Sequence, residues 1–252
     1  MIESTPEILT LFFAVAMVAG WVDALAGGGG MITIPALLLA GCPPATAIAT
    51  NKLQGSFGTL TAAFYFVRKR AVSLQDNIGP LIAVCLGSVL GGWVLVRVDP
   101  SHLHLIVPVL LVAIGIYFLF FVGDLDVARK AKITRERFNA IAAPSLGFYD
   151  GFFGPGTGSF MLTAFVTLRG FAIREATAHA KLFNFASNVA ALLYFIVFGK
   201  ILWLVGGAMI GGQMLGAYLG ARTALNAGAR VIRPVTIIVC FAMSARVLWN
   251  LW

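Results

Sequence analysis

The chain is poor in charged residues and in cysteine. Only 11% of its 252 residues are charged, whereas 60% are hydrophobic. Soluble domains carry about 25% charged residues, so this sequence lacks the polar surface that a water-soluble enzyme of its length needs. Its three cysteines lie far apart and show neither CxxC nor CxxH spacing. We therefore expect neither a disulfide framework nor a zinc site.

Acidic residues are also few. The chain has 10 Asp and Glu residues and 18 Lys and Arg residues, which gives a net charge of +8. In a membrane protein such a surplus usually marks cytoplasmic loops, so we expect no nucleic-acid partner. The first seven residues contain no basic stretch, and we expect no cleaved signal peptide. No motif predicts a cofactor or a resident metal ion.

Long apolar runs fill most of the chain. Ten of them are separated by polar or Pro/Gly stretches, at 8–26, 31–41, 46–67, 77–96, 103–122, 139–153, 158–168, 175–198, 201–220 and 231–252. The runs are continuously apolar rather than alternating, which favours helices over the strands of a β-barrel. We predict an all-α polytopic integral membrane protein in the lipid bilayer. Segments 31–41 and 158–168 are too short to cross it alone.

The two halves of the sequence resemble each other. In each half an aspartate, Asp23 or Asp150, stands four residues before a helix-breaking glycine cluster. Two further pairs of segments match in the same order, which indicates a duplication. The predicted parts are a first membrane repeat at 1–122, a basic cytoplasmic linker at 123–138 and a second membrane repeat at 139–252.

Basic residues in short loops predict how the repeats are oriented. By the positive-inside rule, the loop at Arg68–Arg70 and the linker are cytoplasmic. The third segment then runs inward and its partner, 175–198, runs outward, so the repeats have inverted topology. Each is a helical hairpin broken by a Gly-rich stretch plus three transmembrane helices, and both termini are non-cytoplasmic. Inverted repeats with interrupted segments are typical of secondary transporters.

The two glycine-rich breaks are candidate anion sites. A helix that restarts after a break presents free N–H groups and the positive end of its dipole. Non-helical backbone at membrane depth is tolerated where it lines a cavity or is buried in protein, so a simple bend between packed helices is the alternative. The residues predicted to contact a substrate here are Gly29, Gly30, Thr33, Gly156, Thr157, Gly158 and Ser159.

Two lysines, Lys52 and Lys181, lie inside otherwise apolar helical segments. Such residues mark substrate pathways by default, and snorkelling to the membrane interface is the alternative. Polar neighbours at helical spacing favour an inward position. The binding residues predicted on these two segments are Asn51, Lys52, Gln54, Lys181, Asn184 and Asn188.

Three more ionisable residues are candidates for ion coupling: Asp23, Asp150 and His179. The aspartates stand at the C-terminal ends of helices, where the dipole disfavours an anion. We expect them to pair with a lysine, to hold the hairpin, or to carry H⁺ or Na⁺. His179 is a candidate for pH-linked coupling, with hydrogen-bonded packing as the alternative.

The motifs resemble the paired signatures of a known family. Segments 26–35 (AGGGGMITIP) and 49–55 (ATNKLQG), then 151–159 (GFFGPGTGS) and 178–184 (AHAKLFN), look like those of the TauE/SafE sulfite exporters. The resemblance covers essentially the whole chain. It implies a two-repeat inner-membrane protein that exports sulfite, sulfoacetate or a related organosulfonate, driven by an ion gradient. The second half has Ala180 and Phe183 where the first has Asn51 and Gln54, so the two half-sites are not chemically equivalent.

The residues themselves favour the same function. Two positive helix ends and two lysines suit a small anion, which an alternating-access transporter would carry with H⁺ or Na⁺ as coupling ion. The alternatives are a passive anion channel and a cation or metal exporter of the same architecture. A membrane enzyme is disfavoured because the three histidines, His102, His104 and His179, are scattered. A homodimer is left open.

Overall fold

The computed structural model describes residues 5–99, 101–103, 109, 113 and 130–227. Within these residues the secondary structure is helical, without strands. The long helices, numbered in chain order, are α1 (Pro6–Ala26), α2 (Gly29–Leu39), α3 (Pro44–Arg68), α4 (Ile78–Arg97), α5 (Ala143–Phe152), α6 (Thr157–Arg169), α7 (Ile173–Phe198) and α8 (Trp203–Ala227). A short 3₁₀ turn, Gln75–Asn77, precedes α4, and two helical turns, Arg135–Arg137 and Phe138–Ala142, lead into α5.

Local chemistry explains where the helices begin. At the start of α1, Pro6 occupies the first turn and the Thr5 hydroxyl accepts a hydrogen bond from the backbone N–H of Ile8. Proline also occupies the first turn of α3, at Pro44. A first-turn proline costs nothing, because the N–H it lacks would be unpaired there.

Four of the helices are long and apolar enough to span a membrane: α1, α4 with its preceding turn, α7 and α8. The helix α3 has 25 residues, about 37 Å at the usual rise, but polar side chains lower its hydropathy. The short segments α2 and α6 have 11 and 13 residues. The prediction of an all-α membrane protein is confirmed.

Two predicted segments lie outside the described residues, 231–252 entirely and 103–122 almost entirely, as does the linker up to residue 129. The other eight predicted segments coincide with the eight long helices, with boundaries displaced by a few residues. The largest displacement is at α8, which continues to Ala227 although the prediction ends at 220.

Both glycine-rich stretches break a helix, as predicted. The first helix of the chain ends at Ala26, and Gly27 adopts a left-handed conformation, with φ of 78°. In the second break Gly154 and Gly156 both have positive φ, 98° and 77°. Residues with a Cβ rarely adopt this conformation, which is why glycine occupies these turns.

Helix pairs on the two sides of the molecule pack closely through glycines. A Cβ atom at Gly87 or Gly91 of α4 would overlap the backbone carbonyls of Pro144 or Phe148 on α5. On the other side, the glycines at 212 and 216 of α8 abut the backbone of α1 in the same way. Small residues allow such close contact between membrane helices.

The contacts join one half of the sequence to the other. The hairpin helix of the first half, α1, packs on α8 of the second half, and the hairpin helix of the second half, α5, packs on α4 of the first. The helices that carry the two lysines, α3 and α7, pack against each other between these pairs. The two breaks and both lysines are thereby brought to the middle of the bundle.

Candidate functional site

Both intramembrane lysines are buried and form ion pairs. The Nζ atom of Lys52 lies 2.7 Å from Oδ1 of Asp150, and Nζ of Lys181 lies 3.0 Å from Oδ2 of Asp23. Each pair joins a lysine of one half to the aspartate of the other half. Lys52 and Lys181 are 0% and 1% exposed, so neither side chain snorkels to the surface.

The pairing explains why aspartates are tolerated at the ends of α1 and α5. A carboxylate at a helix C-terminus meets the negative end of the dipole, and burial without a partner would cost several kcal/mol more. The lysine ammonium supplied by the other half offsets both costs. Of the roles expected for Asp23 and Asp150, pairing with a lysine is therefore the one that the geometry shows.

The two glycine-rich breaks touch each other. A Cβ atom on Gly27 would overlap the backbone of Gly158 and Ser159, and one on Gly158 would meet the Cα atom of Gly27. In addition, a Cβ on Gly158 would lie 3.0 Å from Nζ of Lys181, and one on Gly154 would lie 2.8 Å from Nζ of Lys52. Both ammonium groups thus border the second break, where α6 begins.

A polar network on the first half surrounds Asn51. The Thr33 hydroxyl lies 2.6 Å from Oδ1 of Asn51, and Nε2 of Gln54 donates to the same oxygen at 2.8 Å. All three side chains are at most 5% exposed. The amide nitrogen of Asn51 lies beside the first break, 3.4 Å from the place that a Cβ of Gly30 would take.

The stripe on α7 forms as predicted. Asn184 and Asn188 are 4% and 5% exposed and lie on the face that carries Lys181. The Nδ2 atom of Asn188 donates to the backbone oxygen of Asn184 at 2.8 Å. Both asparagines line the same cavity as Lys52.

These groups enclose a small cavity at the centre of the bundle, which we call the central cavity. Its volume is about 20 Å³, room for about one water molecule. It is lined by Asp23, Gly27, Gly30, Asn51, Lys52, Gln54, Gly55, Thr59, Asp150, Gly154, Gly158, Asn184, Asn188 and Gln213. Such a concentration of polar groups around one enclosed space is the pattern of a binding site for a small polar ligand.

Three buried acceptors around this cavity lack hydrogen-bond partners among the described residues. They are Oδ2 of Asp150, Oε1 of Gln54 and Oε1 of Gln213. A buried polar atom without a partner costs about 1–3 kcal/mol, so each is expected to meet a ligand, a proton or water. The cavity is lined by these atoms and by Lys52, and Nζ of Lys181 lies close by, beside Gly158. Such a cavity can bind a ligand that both accepts and donates hydrogen bonds.

The two aspartates differ in how completely they are engaged. Oδ1 of Asp23 accepts a hydrogen bond from the backbone N–H of Gly29 at 3.2 Å, and its Oδ2 pairs with Lys181. Asp23 therefore occupies the start of α2 as an internal anion. Asp150 uses one oxygen for Lys52, and its other oxygen has no partner in the described structure. The two halves thus differ in how their aspartates are bound, which is a different inequality from the predicted one.

A sequence profile described as "Sulfite exporter TauE/SafE" matches residues 12–247 of the chain. The chain belongs to this family. The resemblance of the paired motifs to the sulfite exporters is thereby confirmed, and the matched range includes both breaks and both lysines.

Curated relatives carry the same kind of name. A "Probable membrane transporter protein" of Haemophilus influenzae is 49% identical over 97% of this chain and 96% of its own length. "Probable membrane transporter protein YfcA" of Escherichia coli is 46% identical over 98% and 91%. "Probable membrane transporter protein ORF9" of Sinorhizobium is 45% identical over 96% and 93%. No solved structure matches the chain.

The family and the apolar helices establish a multi-pass membrane transporter. The expectation that this chain is a transporter and not an enzyme is confirmed by its family. The chemistry of the residues that line the central cavity determines which ion or molecule the protein can carry.

The structure places the predicted site residues in two groups. Those that line the central cavity are Asp23, Gly30, Asn51, Lys52, Gln54, Asp150, Gly158, Asn184 and Asn188. The second group does not line the cavity but contacts residues that do. Thr33 lies within hydrogen-bond distance of Asn51, and the Thr157 hydroxyl donates to the backbone oxygen of Gly154 at 2.7 Å. Gly29 holds Asp23, and Gly156 is the residue from which α6 begins. Two further predicted residues are not in the lining: Lys181, which pairs with Asp23, and Ser159, whose backbone lies against Gly27.

His179 lies away from the central cavity. Its Nδ1 is 2.9 Å from the backbone oxygen of Glu175, and its ring packs against Phe165 and Phe171. It faces a second cavity near the start of α7.

Sequence reasoning missed Gln213, which is 1% exposed and lines the central cavity from α8. A signal was present. Gln213 follows the first glycine of one small-residue motif, and Ser88 follows the first glycine of the matching motif in the other half. A polar residue at the same place in both halves of apolar helices indicates an inward position.

Proposed function

We propose that this protein is a secondary transporter that exports a small sulfur-containing anion, such as sulfite, sulfoacetate or a related organosulfonate, by alternating access. The observation that carries the proposal is the convergence of two buried lysines, each supplied by a different half, on one break. Substrate contacts come from the groups that line the central cavity and from the start of α6.

The charge distribution favours an anion at the second break. Both ammonium groups border the turn at Gly154–Gly158. The helix α6 begins there with no side-chain cap, so the positive end of its dipole faces the turn. At the first break, in contrast, Asp23 already occupies the start of α2. We therefore place the sulfur oxyanion against the second break, with Asn51 and Asn184 as further donors.

The size of the cavity implies a conformational change. A space of about 20 Å³ is too small for sulfite, which has four heavy atoms, and the two lysines are almost fully buried. The described conformation is thus closed around the site. Because the breaks touch at Gly27 and Gly158, separation of the two hairpins would enlarge the cavity, which is the movement that alternating access needs.

Three basic segments meet at one end of the bundle, which supports the predicted topology. Arg135 donates to the backbone oxygen of Asp76, and Arg169 donates to that of Ile133 at 3.2 Å. One end of the helical bundle is therefore formed by three segments, 68–77, 130–137 and 169–174. We call it the basic end and assign it to the cytoplasm. Because α3 ends there and α7 begins there, the two repeats run in opposite directions.

We assign coupling to the aspartates, and first to Asp150. Its unpartnered Oδ2 can take a proton, which would remove the charge that holds Lys52 and release the ammonium for the substrate. Na⁺ at the same oxygen would act similarly. His179 remains a candidate for proton coupling through a different cavity. The proposal also places the protein in the inner membrane with both termini on the non-cytoplasmic side, and it includes a homodimer as the assembly.

A cation exporter is the second candidate. The three unpartnered acceptors, on Gln54, Asp150 and Gln213, would suit a cation rather than an anion. Among the described residues there is no group of three or more His, Cys, Asp or Glu side chains that could hold a metal ion.

Flux measurements on purified protein in liposomes distinguish these functions. We expect saturable efflux of radiolabelled sulfite or sulfoacetate, with taurine as a zwitterionic comparison, and no transport of Ni²⁺ or Co²⁺. An imposed ion gradient or membrane potential drives the labelled anion against its own concentration gradient, because the flux is coupled to a second driving force.

Protein-free liposomes set the background for these fluxes. Anion flux that never exceeds its own electrochemical gradient would favour a passive channel. Metal flux without flux of any of the three sulfur compounds would replace the proposed function with cation export.

A further inference from the structure

A second cavity lies at the basic end, separate from the site described above. Its volume is about 110 Å³, which suits a small ion with water but is well below the pockets of about 300–1,000 Å³ that hold drug-sized molecules. It is lined by Asp76, Asn77, Arg135, Phe138, Asn139, Phe165, Arg169, Phe171, His179 and Phe183. We call it the basic-end cavity.

Two arginines give this cavity a positive charge. Arg135 is held by the backbone oxygen of Asp76, and Arg169 by that of Ile133. Neither guanidinium forms an ion pair with a carboxylate within the part of the chain that the structure describes. Against them the lining supplies a single carboxylate, that of Asp76. Arginines fixed by backbone oxygens keep N–H donors for an oxyanion, to which guanidinium groups bind through paired hydrogen bonds.

Aromatic rings close the inner wall of the cavity. Phe165 and Phe183 meet edge to face, with ring centroids 5.0 Å apart, and Phe138 packs on Phe165 at 4.9 Å. All three side chains are at most 3% exposed. The guanidinium of Arg169 lies over the ring of Phe171, and the ring of His179 packs against both Phe165 and Phe171.

The helix α7 connects the two cavities. His179 and Phe183, one turn apart on one face of this helix, line the basic-end cavity. Asn184 and Asn188 line the central cavity, on the roughly opposite face, which also carries Lys181. The two cavities therefore lie on different sides of α7, and Phe183 and Asn184 are the consecutive residues at which one lining gives way to the other.

We propose that the basic-end cavity is a second binding site for a small oxyanion, at which the substrate is captured from the cytoplasm before it moves past α7 to the paired lysines. The role in substrate capture rests on the proposed function. The anion site itself is inferred from the arginines and rings of the cavity alone. The positive charge raises the local concentration of anions, and α7 separates the site from the central cavity in the described conformation.

The ring of His179 reports on this site directly. In a background in which His102→Gln and His104→Gln leave a single histidine, the ¹³C-labelled ring of His179 is followed by NMR at fixed pH during titration with sulfite and with sulfate. We expect a saturable shift. It disappears in Arg169→Gln and persists in Lys181→Met/Asp23→Asn, because only the first substitution removes a guanidinium from the cavity.

Arg174→Gln is the matched control, since Arg174 is exposed at the same end but does not line the cavity. A shift that Arg174→Gln removes equally would show that the basic end attracts anions only through its general charge, and the site would be refuted. Absence of any shift at saturating sulfite and sulfate would refute it as well. Loss of the shift in Lys181→Met/Asp23→Asn would place the anion in the central cavity and overturn the proposal.

A lipid phosphate shares the chemistry of a free oxyanion. The titration is therefore repeated in nanodiscs of phosphatidylcholine and of phosphatidylglycerol. A shift already complete in phosphatidylglycerol without added anion would assign the cavity to a lipid headgroup and contradict a role in substrate capture. A shift that still requires sulfite there supports the proposal.

Transport kinetics distinguish the proposed second site from the proposed transport function. With anion supplied from the basic end, Arg135→Gln and Arg169→Gln are each expected to raise KM about fivefold with little change in kcat, because a charge outside the final site acts mainly on association. Supplied from the opposite side, the same variants keep the wild-type KM. An equal rise from both sides contradicts the role in substrate capture. A saturable NMR shift without any transport by the wild type would refute the function and leave the anion site standing.

Discussion

Replacement of Lys52 by methionine is expected to abolish anion transport and to destabilise the protein. The substitution removes one of the two ammonium groups at the second break and leaves the carboxylate of Asp150, 1% exposed, without its partner. Breaking a buried ion pair from one side costs about 3–5 kcal/mol. Loss of a buried charge contact to the substrate lowers transport by about 100-fold. Thermal unfolding in detergent and labelled-anion flux in liposomes measure the two effects.

The double variant Lys52→Met/Asp150→Asn is the matched control. It removes both charges and keeps side chains of similar volume, so its thermal stability should return close to that of the wild type. Its transport should remain at background, since the ammonium is still missing. The same pattern is expected for Lys181→Met and Lys181→Met/Asp23→Asn. Wild-type flux in either double variant would mean that the lysines serve only to balance the aspartates.

Replacement of Gly27 by alanine is expected to have the second large effect. The residue has a φ of 78°, which costs an alanine about 1–2 kcal/mol. More importantly, the new Cβ would overlap the backbone of Gly158 and Ser159, which cannot move aside as a flexible side chain can. The two breaks would be pushed apart and Lys181 displaced from Asp23. We expect transport to fall by at least about tenfold, together with a clear loss of thermal stability.

Two other glycines serve as controls that separate the effect of backbone strain from the effect of the overlapping Cβ. Gly41 has the same left-handed backbone, with φ of 82°, but its added Cβ would meet nothing within 4 Å, so Gly41→Ala tests the backbone strain alone. Gly79→Ala, with no atom within 4 Å of its Cβ, should change neither property. If Gly41→Ala impaired transport as strongly as Gly27→Ala, the contact between the breaks would not explain the effect.

Much of the helical framework could be predicted from the sequence because the bilayer imposes a strong pattern. Continuous apolar runs had to be helices, and the glycine clusters had to interrupt them, since few other residues adopt the turn at Gly27 or Gly154. The spacing of Lys181, Asn184 and Asn188 was sufficient to place them on one face, because one helix carries all three.

Contacts between distant segments could not be predicted in the same way. The aspartates were expected to pair with a lysine, but nothing in the pattern indicated that each pair would cross from one half to the other. The difference between Asp23, which caps α2, and Asp150, which leaves an oxygen unpartnered, depends on how the breaks cross. Gln213 and the separate position of His179 likewise follow from the packing of α8 and α7 against other helices.

The central claim is that a small anion binds at the two lysines beside the second break. Equilibrium binding of sulfite and sulfoacetate, measured by titration calorimetry on purified protein, tests it most directly. In an Arg169→Gln background, which removes binding at the basic-end cavity, we predict saturable binding that is lost when Lys52→Met/Asp150→Asn or Lys181→Met/Asp23→Asn is added, both proteins still being folded. Binding of unchanged affinity in these two variants would contradict the claim.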